Sequence, residues 1–315
     1  MRRSVLVEVS ADQASSGVKR TLLGLIATSE DHEGDSAPFY DEVMVYLHGF
    51  PDMAVHPVDL DFASRMPAKL CEFWLNKTQN RRQKAAFVTF NFGGVPGSDQ
   101  QLRFTDKTIA QELEDAVAVC RYVRCTLLKT GKLHVVGLST GAIIASLLRE
   151  KQLADSIAVI AGLLDLKEGV KFDFSPLQLE QCDATGSCWK EFYLPKGCPL
   201  PKNVDLSLDG AHSTSELTDA TAPSKLFVRL NQRYVQECQS GSLDIRRAVS
   251  GDALPPLLVI HGDADQNVPF SNGEELFEAA AEPKTFLPIP RANHLLTNSK
   301  LLKKALKVIG DHIAA

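Results

Sequence analysis

Long apolar runs are missing from this chain. No stretch approaches the ~20 residues needed to cross a bilayer, so stable membrane insertion is not expected. The opening Met1-Arg2-Arg3 leads only to Val5-Leu6-Val7 before Glu8 intervenes. That is far short of the roughly 7–15 apolar residues of a secretory segment, and a cytoplasmic protein is expected. Cysteine is sparse as well, with seven among 315 residues, an odd number that cannot pair completely. Cys71, Cys120 and Cys125 fall in apolar helical patterns. Cys182, Cys188 and Cys198 lie closer together but lack the two-residue gap of a zinc knuckle. Free thiols, no metal and no organic cofactor are therefore expected. Nor is positive charge in excess. The formal net charge is -5, which argues against a nucleic-acid partner, because phosphate binding needs a basic face. The one local basic run, Arg81, Arg82 and Lys84, reads as a solvated loop. No internal repeat or low-complexity tract is visible, which excludes solenoid architectures.

What is present is an alternation of strand and helix patterns, with 44% hydrophobic and 23% charged residues to support a soluble core. Val5 to Val9 and Thr21 to Thr28 read as an edge hairpin, followed by a polar loop over 30–41. Val43 to Leu47, Ala86 to Phe92, Leu133 to Val136 and Ile157 to Ala161 read as buried strands. Helices are expected over 60–75, over 109–128 with Gly131 as the stop, and over 142–148. The apolar stripe of the second runs through Ala110, Leu113, Ala116, Val117, Cys120 and Val123. From about Asp165 to Gly251 the alternation fails. Pro176, Pro195, Pro199, Pro201 and Pro223 crowd this stretch, and only Ser224 to Cys238 reads as a helix. The pattern then resumes with strand Leu257 to Ile260, helix Gly273 to Ala281, strand Phe286 to Ile289 and a helix from Lys300 to Ile313. Such alternation predicts a mostly parallel central sheet with helices on both faces. The interrupting segment is an insertion: residues 1–164 and 252–315 form the core, and 165–251 stand apart.

The chemistry concentrates at Gly137-Leu138-Ser139-Thr140-Gly141, where one strand pattern ends and a helix pattern begins. A serine in that tight turn has its hydroxyl lifted above the sheet edge. The turn brings the residues two before and two after it together, and two glycines leave room. A hydroxyl is a poor nucleophile until a base, itself held by an acid, takes its proton. The base expected after the last strand is His294. His134 sits inside a strand, His261 in a structural turn, and His32, His56, His212 and His312 off the expected edge. For the acid, Asp265 leads, with Asp263 and Asp165 as rivals. The oxyanion is expected to find the backbone N–H groups of Phe50 and Thr140. Gly49 would allow close approach, and His48 would brace the loop.

His48-Gly49, Gly137 to Gly141, His261-Gly262-x-x-Asp265-x-x-Val268-Pro269 and His294 together resemble the α/β-hydrolase superfamily, in its order and spacing. The chain is most similar to the short-lid branch that contains monoacylglycerol lipases, feruloyl-type esterases and bacterial ester or acyl-thioester hydrolases. The resemblance implies an α/β-hydrolase fold, a Ser139-Asp265-His294 triad, a lid over 165–251 and a small, apolar ester as substrate. It also allows thioester, amide or acyl-transfer chemistry on the same triad, or a catalytically silent binding protein. His48-Gly49-Phe50-Pro51-Asp52 resembles the corresponding loop of epoxide hydrolases and haloalkane dehalogenases, but those use an aspartate where this chain has Ser139. Thr140 stands where glutamine, methionine or glycine is more frequent, which alters the pocket rim and not the N–H. Trp189, Phe192, Tyr193 and Leu194 would either meet an apolar substrate or pack the lid onto the core.

Overall fold

Apolar residues at every position of a strand can be buried only if both faces of the sheet are covered, and the central strands meet that condition. A computed structural model describes residues 1–10, 19–29, 39–50, 52–98, 102–194, 197–198, 206–207 and 225–314. Eight strands run in the order β1-β2-β4-β3-β5-β6-β10-β11. β1 (Arg2–Val9) and β2 (Arg20–Thr28) are antiparallel at one edge. β3 (Tyr40–Leu47), β4 (Ala85–Phe90), β5 (Leu128–Leu138), β6 (Ser156–Ile160), β10 (Leu257–Gly262) and β11 (Lys284–Ile289) pair in parallel.

The two-residue period of these strands divides the core. Val43 and Val45 of β3, Val135 of β5 and Val259 of β10 face α2 (Ile109–Tyr122), α3 (Thr140–Leu148) and α8 (Phe270–Ala279). Met44, Tyr46, Val136 and Ile260 face α1 (Arg65–Asn80) and α9 (Ser299–Ala314). Arg149, just past α3, is fully buried and stitches distant chain segments together. Its guanidinium donates to the carbonyls of Val249 at 2.6 Å, Ala281 at 2.8 Å and Pro255 at 2.9 Å. Burial lowers its pKa to about 10, against the opposing charge of Glu282.

Between β6 and β10 lie α4 (Leu166–Asp173), α5 (Pro176–Thr185), β7 (Ser187–Tyr193), β8 (Leu206–Ser207), β9 (Lys225–Asn231), α6 (Gln232–Ser240) and α7 (Ile245–Ser250). β7, β9 and β8 form a separate antiparallel sheet. The helix expected over 224–238 is therefore half strand: Leu226, Val228 and Leu230 are buried in β9, and helix begins only after Asn231, whose side chain caps α6. Ser224 lies outside the described residues, as do His32, His212, Pro51, Pro195, Pro199, Pro201, Pro223 and most of the loop expected over 30–41.

Gly131 does not stop α2. That helix ends in a π-helical turn over Val123–Leu127, and Gly131 lies inside β5, where a Cβ would stand 2.4 Å from the Asp41 carbonyl. Of the expected stripe on α2, Ala116, Cys120 and Val123 are buried, while Ala110, Leu113 and Val117 are only half-buried. The buried face also takes in Gln111, Glu112, Asp115 and Val119. Its polar members have partners: Asp115 pairs with buried Arg20 at 2.6 Å, and Glu112 with buried Lys107. Arg81 is not simply solvated either, since it pairs with Glu42 at 2.6 Å. Cys125 is exposed rather than buried, unlike the other six cysteines, and none of the seven is in a disulfide.

Candidate active site

The turn after β5 holds Ser139 in a conformation that side-chain-bearing residues rarely adopt, φ 56° and ψ -120°. The glycines around it explain how. A Cβ on Gly137 would lie 2.1 Å from the Gly141 carbonyl oxygen, and one on Gly141 would lie 2.2 Å from that of Leu47. Ser139 N donates to Ile160 O at 2.9 Å, fixing the turn to the neighbouring strand β6. Ser139 is half-buried at the N-terminus of α3, and Thr140 N is the first of the helix N–H groups that an α-helix leaves without an internal acceptor.

Three carboxylates were candidates for holding a histidine, and geometry separates them. Asp165 caps α4, its Oδ1 accepting from Lys167 N at 2.8 Å. Asp263 accepts from Arg291 N and so supports the turn after β11. Asp265 has a fully buried side chain and accepts from His294 Nδ1 at 2.8 Å. A carboxylate only accepts, so His294 carries its proton on Nδ1 and leaves Nε2 as a base. The other oxygen of Asp265 accepts from Asn267 N at 2.8 Å and Val268 N at 2.9 Å. Burial pushes the Asp265 carboxyl up, but hydrogen bonds from His261 and His294, the His294 charge and Val268 N outweigh it and hold the group well below the usual carboxylate range.

Gly49 passes close to the serine: a Cβ there would meet Ser139 Cβ at 3.0 Å and Leu138 O at 3.2 Å. This proximity puts the Phe50 backbone beside the same turn. His48 shapes the loop with both ring nitrogens. Nδ1 donates to Gly49 O at 2.8 Å, and Nε2 accepts from Phe92 N at 3.3 Å. Burial, reinforced by the Lys107 charge, lowers its pKa to about 3, so the ring is neutral at ordinary pH.

The fold has solved counterparts. The esterase domain of a Rhodothermus marinus protein matches with TM-score 0.56 and 18% identity, over 99% of this chain and 97% of that one. Est1E from Butyrivibrio proteoclasticus, solved with ferulic acid bound, matches with TM-score 0.59 and 16% identity, over 98% and 97%. The α/β hydrolase GrgF from Penicillium sp. sh18 matches with TM-score 0.65 and 14% identity, over the whole of both chains. The chain has the α/β-hydrolase fold. No protein-family model and no curated protein sequence matches it.

In this α/β-hydrolase fold, Ser139 and His294 open onto one cavity of about 720 Å³. Gly49, Phe50 and Thr140 line it beside them, and α4 contributes Gly169, Phe172 and Asp173. Of the apolar patch anticipated on the insertion, Trp189, Phe192 and Leu194 do not line the cavity. Phe192 and Leu194 are buried, and Phe192 packs edge-on against Phe104 of the core with ring centroids 5.4 Å apart. Trp189 is buried too, and the side chain of Tyr193 lies outside the described residues. Leu163, Phe172, Val268 and Leu295 supply the apolar walls instead.

Two site residues were not anticipated. His261 Nε2 lies 3.4 Å from the same Asp265 oxygen that His294 uses and 3.0 Å from Val268 O. Its Nδ1 is buried with no hydrogen-bond partner among the described residues, against the open flank of Gly273. The spacing from His261 to Asp265 was the available signal. Asp52, two residues past Phe50, lines the cavity, and burial raises its pKa to about 6. Among the described residues no group of three or more His, Cys, Asp or Glu is placed to hold a metal, and no helix is long and apolar enough to cross a membrane.

Proposed function

We propose that this chain is a serine hydrolase that cleaves carboxylic esters through an acyl-enzyme on Ser139. The reading is carried by the Asp265–His294 hydrogen bond of 2.8 Å, with His294 lining the cavity that Ser139 also lines. Its esterase-named neighbours add support through the fold. His294 Nε2 takes the Ser139 proton as the hydroxyl oxygen attacks the ester carbonyl, and Asp265 stabilises the imidazolium that results. The N–H groups of Phe50 and Thr140 receive the oxyanion, each such donor being worth roughly 10²–10³ in kcat. The alcohol leaves with the proton held on His294. Water then attacks the acyl carbonyl by the same route, releasing the acid and restoring Ser139.

Residues 165–251 act in this reading as the lid on a core of 1–164 and 252–315, with α4 facing the substrate. Among the described residues the lining holds Asp52 and Asp173, the latter paired with Lys190 at 3.0 Å behind it, and no lysine or arginine. A small, uncharged ester fits that balance better than an anionic one, because unpaired negative charge in such a cavity is costly. Labelling with a fluorophosphonate probe tests the reading: folded protein is expected to be modified at Ser139 and Ser139→Ala to stay unlabelled. A panel of p-nitrophenyl esters beside acyl-thioesters and amides is expected to show ester turnover dominating. Folded wild-type protein that neither labels nor turns over any ester would overturn it.

A further inference from the structure

Phe50 does more than present an N–H. Its ring stacks against Phe104 with centroids 5.6 Å apart and planes 14° apart, and against Tyr234 at 5.5 Å and 20°. Phe104 comes from the core, and Tyr234 comes from α6 of the insertion. Two ammonium groups flank the same ring at 5.5 Å from its centroid, Lys107 from the core and Lys190 from β7 of the insertion. Both lysines are buried. Lys107 is held by Glu112, and Lys190 by the carbonyl and carboxylate of Asp173 at 2.5 and 3.0 Å. The insertion is pinned to the core nearby, where Glu237 of α6 accepts from Ala110 N at 3.1 Å.

Ring stacking and cation–π contacts are directional, and they strengthen when water is excluded. A phenylalanine side chain has only two torsions. Fixing its ring from both the core and the insertion restrains its Cα and, together with the hold of His48 Nδ1 at 2.8 Å and Asp52 N at 3.2 Å on the carbonyl of the same Gly49–Phe50 peptide, the direction of its backbone N–H. Gly49, immediately before it, gives the loop little stiffness of its own. We propose that the insertion completes the oxyanion hole from a distance: Tyr234 is a positioning residue that aims Phe50 N–H, with Lys190 in support. The inference rests on the reading of Phe50 N–H as an oxyanion donor. Its consequence is that seating of the insertion and transition-state stabilisation are one event, and not a gate placed in series with chemistry.

The test compares Tyr234→Leu, Tyr234→Ala and Tyr234→Phe in the full chain, using a p-nitrophenyl ester and a trifluoromethyl ketone. The ketone forms a tetrahedral Ser139 adduct that places an oxyanion in the hole. Tyr234→Leu keeps apolar volume and removes the ring, so it preserves folding where Tyr234→Ala does not. Loss of aim is expected to lower kcat by about 10–100-fold, a part of the value of one donor, with KM changed less than about threefold. Ketone affinity should fall in parallel with kcat, while affinity for the carboxylic acid product holds. Tyr234→Phe, which keeps the stack, should restore kcat. An unchanged kcat in Tyr234→Leu, or equal losses for ketone and product acid, would overturn the proposal. Failure of the underlying reading looks different: if Ser139 is not the nucleophile, Ser139→Ala keeps its turnover, and if Phe50 N–H is not a donor, Tyr234→Leu lowers kcat without lowering ketone affinity.

Discussion

Replacing Asp265 by asparagine changes one atom and should disable the base without disturbing the packing. One carboxylate oxygen already accepts two backbone N–H groups, from Asn267 and Val268. An amide can satisfy those donors only with its carbonyl oxygen, so its NH₂ must occupy the other site. That site faces His294 Nδ1 at 2.8 Å and His261 Nε2 at 3.4 Å. Donor would meet donor. His294 escapes the conflict by moving its proton to Nε2, the nitrogen that must accept from Ser139. A wrong tautomer of this kind costs about 10⁴ in kcat in the serine-protease triad, or about 5 kcal/mol of transition-state stabilisation. The same factor is expected here, with KM within about threefold, measured by steady-state hydrolysis of a p-nitrophenyl ester. Fluorophosphonate labelling should slow by a comparable factor. Asp263→Asn and Asp165→Asn, whose carboxylates serve a turn and a helix cap, should keep kcat within about twofold. A folded Asp265→Asn protein that loses less than tenfold in kcat would refute this reasoning.

Two further outcomes follow from buried groups beside the site. His261→Phe keeps the ring volume but leaves Val268 O without its donor and removes a contact from Asp265. A stability loss of about 1–3 kcal/mol, the usual range for a buried polar group left unpaired, is expected in urea denaturation, together with a lower kcat. Asp52 has a native pKa near 6, above the ~3.9 of an unfolded chain, so the native state holds that proton more tightly. Its contribution to stability is therefore fully present below about pH 4 and falls as pH rises to about 6. Asp52→Asn should match the wild type in Tm near pH 4 and exceed it at pH 7 and above; a constant difference across that range would contradict the burial argument.

How much of this was legible in sequence depends on what each residue does. The strands of the core could be read because burial on both faces demands unbroken apolar runs such as Val43 to Leu47. The tight serine turn could be read because Gly137 and Gly141 are sterically compulsory there. Asp265 already led from its place after a strand in the second half of the chain, and the hydrogen bond it accepts from His294 separates it from Asp165 and Asp263. On α2 the apolar stripe found Ala116, Cys120 and Val123, but it could not register Glu112 and Asp115, which are buried through pairing with Lys107 and Arg20. In β9 the signal was present and was misread: Leu226, Val228 and Leu230 repeat every two residues, not every three or four. The role of Phe50's ring had no sequence signature at all, because its partners are scattered from Phe104 to Tyr234.

Arg149 bears on how such a chain can diversify. It gathers the carbonyl of Val249, at the end of the insertion, and those of Pro255 and Ala281 beyond it, while itself lying just past the helix that follows Ser139. The two halves of the core are thereby sutured by a residue whose contacts do not depend on what α4, α5 or the small sheet look like. Each doubling of a connecting segment's length costs only ~0.6 kcal/mol of closure entropy. The chain from α4 to the small sheet can thus lengthen or shorten at little cost, with the two halves of the core held by the pairing of β6 with β10 and by this guanidinium.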